Sequence, residues 1–396
     1  MLQKKFSLVL TASLAAAILA GCGGSGGSAG NQSPKIQFSS AVFFGDSLSD
    51  VGSYATPSNT SGSGYPGLLG LGGGRYTVNA FAGAAPVKSN WTELLSAQLN
   101  LPAPCPYEVG LNGSAFSYGP VITPTCTSYA MGGSMVNSYV IPGYGTVPAD
   151  YGPGNANSPV DGSPTLGQLT VPLQKQMQNH LAAHTAYTGT EVVFVLAGGN
   201  DGIINTMVFL GSVQGGIPVT TAATSAVTAM GTAGATLAAY INNYVIAAGA
   251  KHVVVLNMPD LSTTPFAKFI DAQAPGTSGV IRTMVTTFNA QLATNLTSPS
   301  VLLVDIQTVS TDQIAHPAQY GLSNVTDPAC NLNFPANPFA TQGSPESGTS
   351  LVCNTTNVIA GDISHYEFAD LVHPTPYGNS LIARYVASQM AIKGWL

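Results

Sequence analysis

Four short runs of apolar, largely β-branched residues restrict the folds open to this chain. They read AVFF at residues 41–44, EVVFVLA at 191–197, HVVVLN at 252–257 and VLLVD at 301–305. None alternates apolar with polar residues, so neither face of such a strand suits water. Strands buried on both faces need a layer on each side. The sequence between them supplies it, with apolar residues at helical spacing over 90–99, 169–183, 220–248, 281–296 and 379–390. Gly231 and Gly234 weaken the third of these as a helix. The alternation predicts a three-layer α/β/α fold around a mainly parallel central sheet. Residues 61–74 and 102–164, rich in Gly, Pro, Ser and Tyr, are read as long loop insertions.

The N-terminus carries a different signal. Lys4 and Lys5 precede an apolar run over 6–19. That run is shorter than the about 20 residues needed to span a bilayer, and it has the form of a secretory signal peptide. Leu19-Ala20-Gly21-Cys22 then resembles the lipobox of bacterial lipoproteins. The resemblance implies an acylated Cys22 at the mature N-terminus. The expected organisation is a signal peptide over 1–21, a flexible Gly/Ser tether over 22–37, and a single domain over 38–396. No linker divides the strand–helix alternation. The protein is therefore expected in the bacterial cell envelope, held to a membrane by its lipid, on the outer membrane or a secreted surface. Nucleic acid is excluded as a partner. Only 7% of residues are charged and the net charge is −6, so clustered Lys and Arg are missing.

The other four cysteines fit an oxidising compartment. Cys105 and Cys126 share a Pro-rich segment, and Cys330 and Cys353 bracket another loop. Of the three possible pairings, the two local ones each pin a long loop and are preferred. Zinc is the rival reading; no CxxC pair or His cluster favours it.

Glycine abundance produces false motifs. GGSGG and GGSAG in residues 23–30 match GxSxG but follow no strand. GSGYPG at 62–67 matches GxGxxG, yet Pro66 blocks the helix that a pyrophosphate needs. Four other segments do fall where chemistry is expected. GDSLSD at 45–50 follows the first strand, placing Ser47 at a strand's C-terminal end. YAMGGSM at 129–135 offers a glycine for close backbone approach. AGGND at 197–201 follows the second strand and points the Asn200 amide towards a developing oxyanion. DLVHP at 370–374 spaces Asp370 one turn before His373, as a carboxylate-oriented general base requires. Alone, each has an ordinary explanation: a turn Ser, a loop Gly-Gly, a capping Asn, a surface DxxH.

Together, in this order, the segments resemble the SGNH hydrolases, in particular the GDSL esterase/lipase branch, over residues 41–391. GRY at 74–76, NWTELL at 90–95, residues 241–265, Phe288-Asn289, PAQYG at 317–321 and HPTPYG at 373–378 also match that family. The resemblance implies Ser47 as nucleophile, His373 as base and Asp370 as its orienting carboxylate. It implies an oxyanion hole of the Ser47 N–H, Gly133 and Asn200, with the adjacent Gly132 as the alternative alignment. The reaction expected is hydrolysis of carboxylic acyl esters without metal or organic cofactor. An acyltransferase using the same acyl-enzyme, and a non-catalytic envelope-anchored binding lipoprotein, are the alternatives. The sequence departs from the family between Arg75 and Trp91 and after Pro102, so substrate range does not carry over. The remaining histidines are read as a strand-edge residue, His252, and surface residues.

Residues 203–210, IINTMVFL, are unusually apolar beside Asn200. They are read either as helix core packing or as an acyl-binding wall, with Tyr54, Tyr65, Tyr76 and Phe81 capping the groove. The second reading favours a lipid-type ester over an acetylated sugar.

Overall fold

The computed structural model describes residues 35–53, 75–82, 85–111, 118–136, 140–141, 145–146, 171–331 and 350–396. The four apolar runs form one parallel sheet: β1 (Ala41–Gly45), β2 (Val192–Leu196), β3 (His252–Leu256) and β4 (Val301–Val304), in that spatial order. Alternate side chains divide between two cores. Val42, Phe44, Val193, Val195, Val253 and Val255 face one cluster; Phe43, Val192, Phe194, Leu196, Val254 and Leu256 face the other. This two-sided burial is why the strands read as unbroken apolar runs.

Helices cover both faces. α1 (Trp91–Gln98) and α8 (Pro376–Ile392) pack on one side. α2 (Leu173–His184), α3 (Gly199–Gln214), α4 (Val219–Tyr240) and α6 (Thr277–Asn295) pack on the other. The short α5 (Pro265–Gln273) and α7 (Ile306–Ala315) follow β3 and β4. The glycines expected to weaken α4 instead set its packing. A Cβ on Gly234 would overlap the Phe288 carbonyl of α6, and one on Gly231 would lie 3.1 Å from the Thr287 methyl. Close helix approach offsets the roughly 1 kcal/mol that each glycine costs relative to Ala. α4 runs on without a gap into a π-helical turn, Ile241–Ile246, so the helical stretch predicted to residue 248 extends to 246 with wider hydrogen bonding in its last turn.

A further segment lies along the free edge of β1. The Phe43 N–H donates to Thr127 O (3.0 Å), the Tyr129 N–H to Phe43 O (2.8 Å) and the Met131 N–H to Gly45 O (3.2 Å). With that segment counted, the strand order is 2-1-3-4-5, the flavodoxin-like winding with its switch point beside β1. The Pro-rich region is not all loop: Glu108–Leu111 and Tyr118–Ile122 pair as a hairpin. Cys105–Cys126 fastens that hairpin to the edge segment, and Cys330–Cys353 sits in a small satellite core with Val78, Ala329 and Ala369. Both are the local pairings.

His180 departs from the surface reading. It is buried among Phe44, Tyr129 and Tyr187, and burial, helped by His184, pushes its pKa down to about 4. Cys22, the tether to residue 34, Gly74, Tyr54 and Tyr65 lie outside the described residues. No helix among the described residues is long and apolar enough to cross a membrane.

Candidate active site

The site lies at the C-terminal ends of the strands, around the switch point. β1 ends in Gly45, whose N–H and C=O are both held by the buried Gln176 amide of α2, at 3.0 and 2.8 Å. A Cβ at Gly45 would come within 2.5 Å of the Leu196 carbonyl, so the strand end admits only glycine. The chain then turns: Asp46 Oδ1 accepts the Leu48 N–H (3.0 Å) and Asp46 O accepts the Ser49 N–H (3.0 Å). Ser47 is thereby thrust out of the strand end. The N-terminus of α1 braces the turn, with Asn90 Nδ2 donating to Leu48 O (2.8 Å) and Trp91 Nε1 to Ser49 Oγ (3.3 Å). Asn90 and Glu93 form a capping box there, and Glu93 also takes Arg75 in a buried two-pronged ion pair at 2.7 and 2.6 Å.

The partner of Ser47 comes from the far end of the chain. Residues 367–375 fold back on themselves: the Ala369 N–H donates to His373 O (2.7 Å) and the Thr375 N–H to Glu367 O (2.8 Å). Asp370 Oδ1 accepts the Val372 and His373 N–H groups at 2.9 and 2.8 Å. Its Oδ2 accepts the Ser350 N–H (2.7 Å) and lies 2.7 Å from His373 Nδ1. His373 Nε2 lies 2.7 Å from Ser47 Oγ. Burial raises the Asp370 pKa, but His373 and these hydrogen bonds outweigh it and hold the carboxyl at about 2. An ionised Oδ2 places the imidazole proton on Nδ1. The Nε2 lone pair is then left to accept from the Ser47 hydroxyl.

The two residues expected at an oxyanion hole stand on the glycine loop and at the start of α3. Gly133 has φ +79°, a conformation that favours glycine. The alternative, Gly132, has its N–H committed to Asp50 Oδ2 (2.8 Å). Asp50 also takes the Gly52 and Ser53 N–H groups (2.8 Å each) and the Ser53 hydroxyl. The last residue of GDSLSD thus supports the glycine loop, a role that sequence reading did not find. Asn200 stands in the first turn of α3 and is not its cap, which is Gly198 at φ +113°. One Asn200 amide hydrogen goes to Ser134 O (2.9 Å), which leaves the second for another acceptor. Asp201 Oδ2 receives the Val136 N–H (3.0 Å), so the start of α3 holds the glycine loop from its other side. Burial raises Asp46 to about 6 and Asp201 to about 7.

The acyl-wall reading of residues 203–210 meets a mixed outcome. Phe209 belongs to the core, with Ile203 and Leu210 packed against it, while Met207 is exposed. Tyr76 is buried against His373 and does not roof a groove. A separate, mostly apolar cavity of about 60 Å³ lies between Leu48, Phe368, Val372 and Ile382. Glu367 borders it with a buried Oε2 that no protein group satisfies, and burial raises its pKa to about 7.

Residues 42–386 match the GDSL-like Lipase/Acylhydrolase family, and the chain belongs to it. Among curated relatives, a Pseudomonas putida protein described as an uncharacterized protein in the trpE-trpG intergenic region is 26% identical over 360 residues, 89% of this chain. Esterase EstA of Pseudomonas aeruginosa, like that of Pseudomonas putida, is 32% identical over 149 residues, 36% of this chain. The matches span 48% of the first relative's length and 20% of each esterase.

Proposed function

We propose that the chain is a serine esterase acting on carboxylic acyl esters. The observation that carries this reading is the hydrogen-bonded series Ser47 Oγ, His373 Nε2, His373 Nδ1, Asp370 Oδ2, with 2.7 Å at both ends. His373 takes the Ser47 proton as Oγ adds to the ester carbonyl. The Ser47 and Gly133 N–H groups and the free Asn200 amide hydrogen receive the oxyanion. His373 then protonates the departing alcohol. Water, deprotonated by the same imidazole, cleaves the acyl-enzyme and restores Ser47. Family membership and the esterase relatives support the reaction class. Ser47→Ala and His373→Ala proteins should each lose nearly all turnover of p-nitrophenyl esters while melting normally. Full turnover in Ser47→Ala sinks the proposal.

The expected export belongs to the same proposal. Lys4, Lys5, the apolar run and Leu19-Ala20-Gly21-Cys22 support a lipid-anchored envelope protein. Cys22→Ser should release it from membranes; continued integral fractionation contradicts the anchor.

A further inference from the structure

Tyr76 touches both halves of the site. Its ring lies 4.8 Å from the His373 ring at 34°. Its phenol end covers Gly132 so closely that a Cβ there would overlap the hydroxyl. The Gly132 backbone is not left-handed, so conformation does not require glycine at this position. The Tyr76 ring excludes a side chain there. Tyr76 itself is 7% exposed, and its chain neighbours are fixed. Arg75 is paired with Glu93, and the Thr77 hydroxyl donates to Pro374 O (2.9 Å), next to His373. Asn79 Nδ2 donates to Arg75 O, Thr77 O and Cys353 O, tying the segment to the Cys330–Cys353 bridge.

The base and the glycine loop stand far apart in the chain, at residues 373 and 132. Asp50 fixes the loop through one N–H, and Asp370 fixes the imidazole edge. Asn200 and Asp201 hold the loop from the α3 side. The Tyr76 ring lies against both the imidazole and the loop. We propose that Tyr76 is a positioning residue that sets the distance between the His373 base and the Gly132–Gly133 oxyanion loop, and that Gly132 is glycine in order to seat it. The inference rests on the esterase reading of Ser47 and His373. It assigns to the aromatic of GRY a part in turnover, with no part in proton transfer. Because it acts on transition-state geometry, its loss should appear in kcat more than in KM.

The test is a double-mutant cycle on kcat and KM with a p-nitrophenyl ester, using Tyr76→Ala, Gly132→Ala and the pair, with Tyr76→Phe as the conservative variant. Tyr76→Ala should lower kcat about 10²-fold, the scale of a ~1 Å misplacement, with KM little changed. Gly132→Ala should fall at least as far. The double variant should be no worse than Tyr76→Ala alone, because the added methyl then fills space the ring has left. Tyr76→Phe keeps the ring on His373 and should stay within about fivefold of wild type, one hydrogen bond's worth. Wild-type turnover in Gly132→Ala, losses that multiply in the double variant, or a Tyr76→Ala effect on KM alone would overturn the proposal. Should an Ala variant not fold, Tyr76→Leu against Tyr76→Phe decides: equal kcat overturns it, and loss confined to Leu supports it. If turnover survives Ser47→Ala, the esterase reading is wrong and this inference falls with it. If Ser47 is required and the cycle is additive, only Tyr76 is wrong.

Discussion

Asp370→Asn changes one atom and should nearly silence the site. The carboxylate serves four donors: the Val372, His373 and Ser350 N–H groups and the His373 ring. An amide oxygen placed at Oδ1 keeps the first two. The amide nitrogen then faces the Ser350 N–H and His373 Nδ1, where only an acceptor fitted. The imidazole can relieve the clash by moving its proton to Nε2, and Nε2 can then no longer accept from Ser47. Forcing this tautomer costs about 10⁴ in kcat, or about 5.5 kcal/mol. Ser350 is fully buried, so its stranded N–H adds about 1–3 kcal/mol of instability, enough to lower the melting temperature without unfolding the protein. The assay is kcat on a p-nitrophenyl ester, beside a thermal melt. A folded Asp370→Asn protein within tenfold of wild type would refute the argument.

Asn200→Ala should lower kcat by roughly 10²–10³, the loss of one oxyanion donor, with KM nearly unchanged; an effect confined to KM would remove Asn200 from the hole. Glu367 is raised from 4.5 to about 7, so the folded state holds its proton more tightly than the unfolded chain. The stability this gives is full below pH 4.5 and is lost as pH rises through 7. Asp201 and Asp46 act in the same direction. His180, lowered from 6.5 to about 4, opposes them at pH 5, but three raised carboxyls outweigh one lowered imidazole. Wild type should therefore melt higher at pH 5 than at pH 8, and Glu367→Gln should melt higher than wild type at pH 8; a Glu367→Gln protein less stable at pH 8 contradicts the sign. Cys353→Ala opens a loop with a sequence separation of 23 and should cost about 3 kcal/mol in denaturant titration; no change would mean the bridge does not form in solution.

How much could be read from sequence followed from the range of each interaction. The sheet was legible because two-sided burial is written into consecutive residues, as in VVFVL of β2. The hydrogen-bonded series of Ser47, His373 and Asp370 was legible because its members sit in local motifs beside a strand or helix end. α7 was missed because IQTVSTDQIA carries little apolar face. α5 was missed although Thr264 caps it and Pro265 opens it, a start signal read only as part of a family landmark. Gln176 and Asp50 gave no sign of their roles. Their contacts to Gly45 and Gly132 span 131 and 82 residues, and no spacing within one element records such a contact. The glycines of α4 misled, because propensity is local and the carbonyl of Phe288 is not.

In the proposed reaction Ser47, driven by His373, is the nucleophile. Intact-mass and peptide analysis after treatment with a fluorophosphonate tests it most directly. One adduct per chain is expected, on Ser47, formed in step with loss of esterase activity and abolished in Ser47→Ala. An adduct on another residue, or full activity in a protein modified at Ser47, would contradict it.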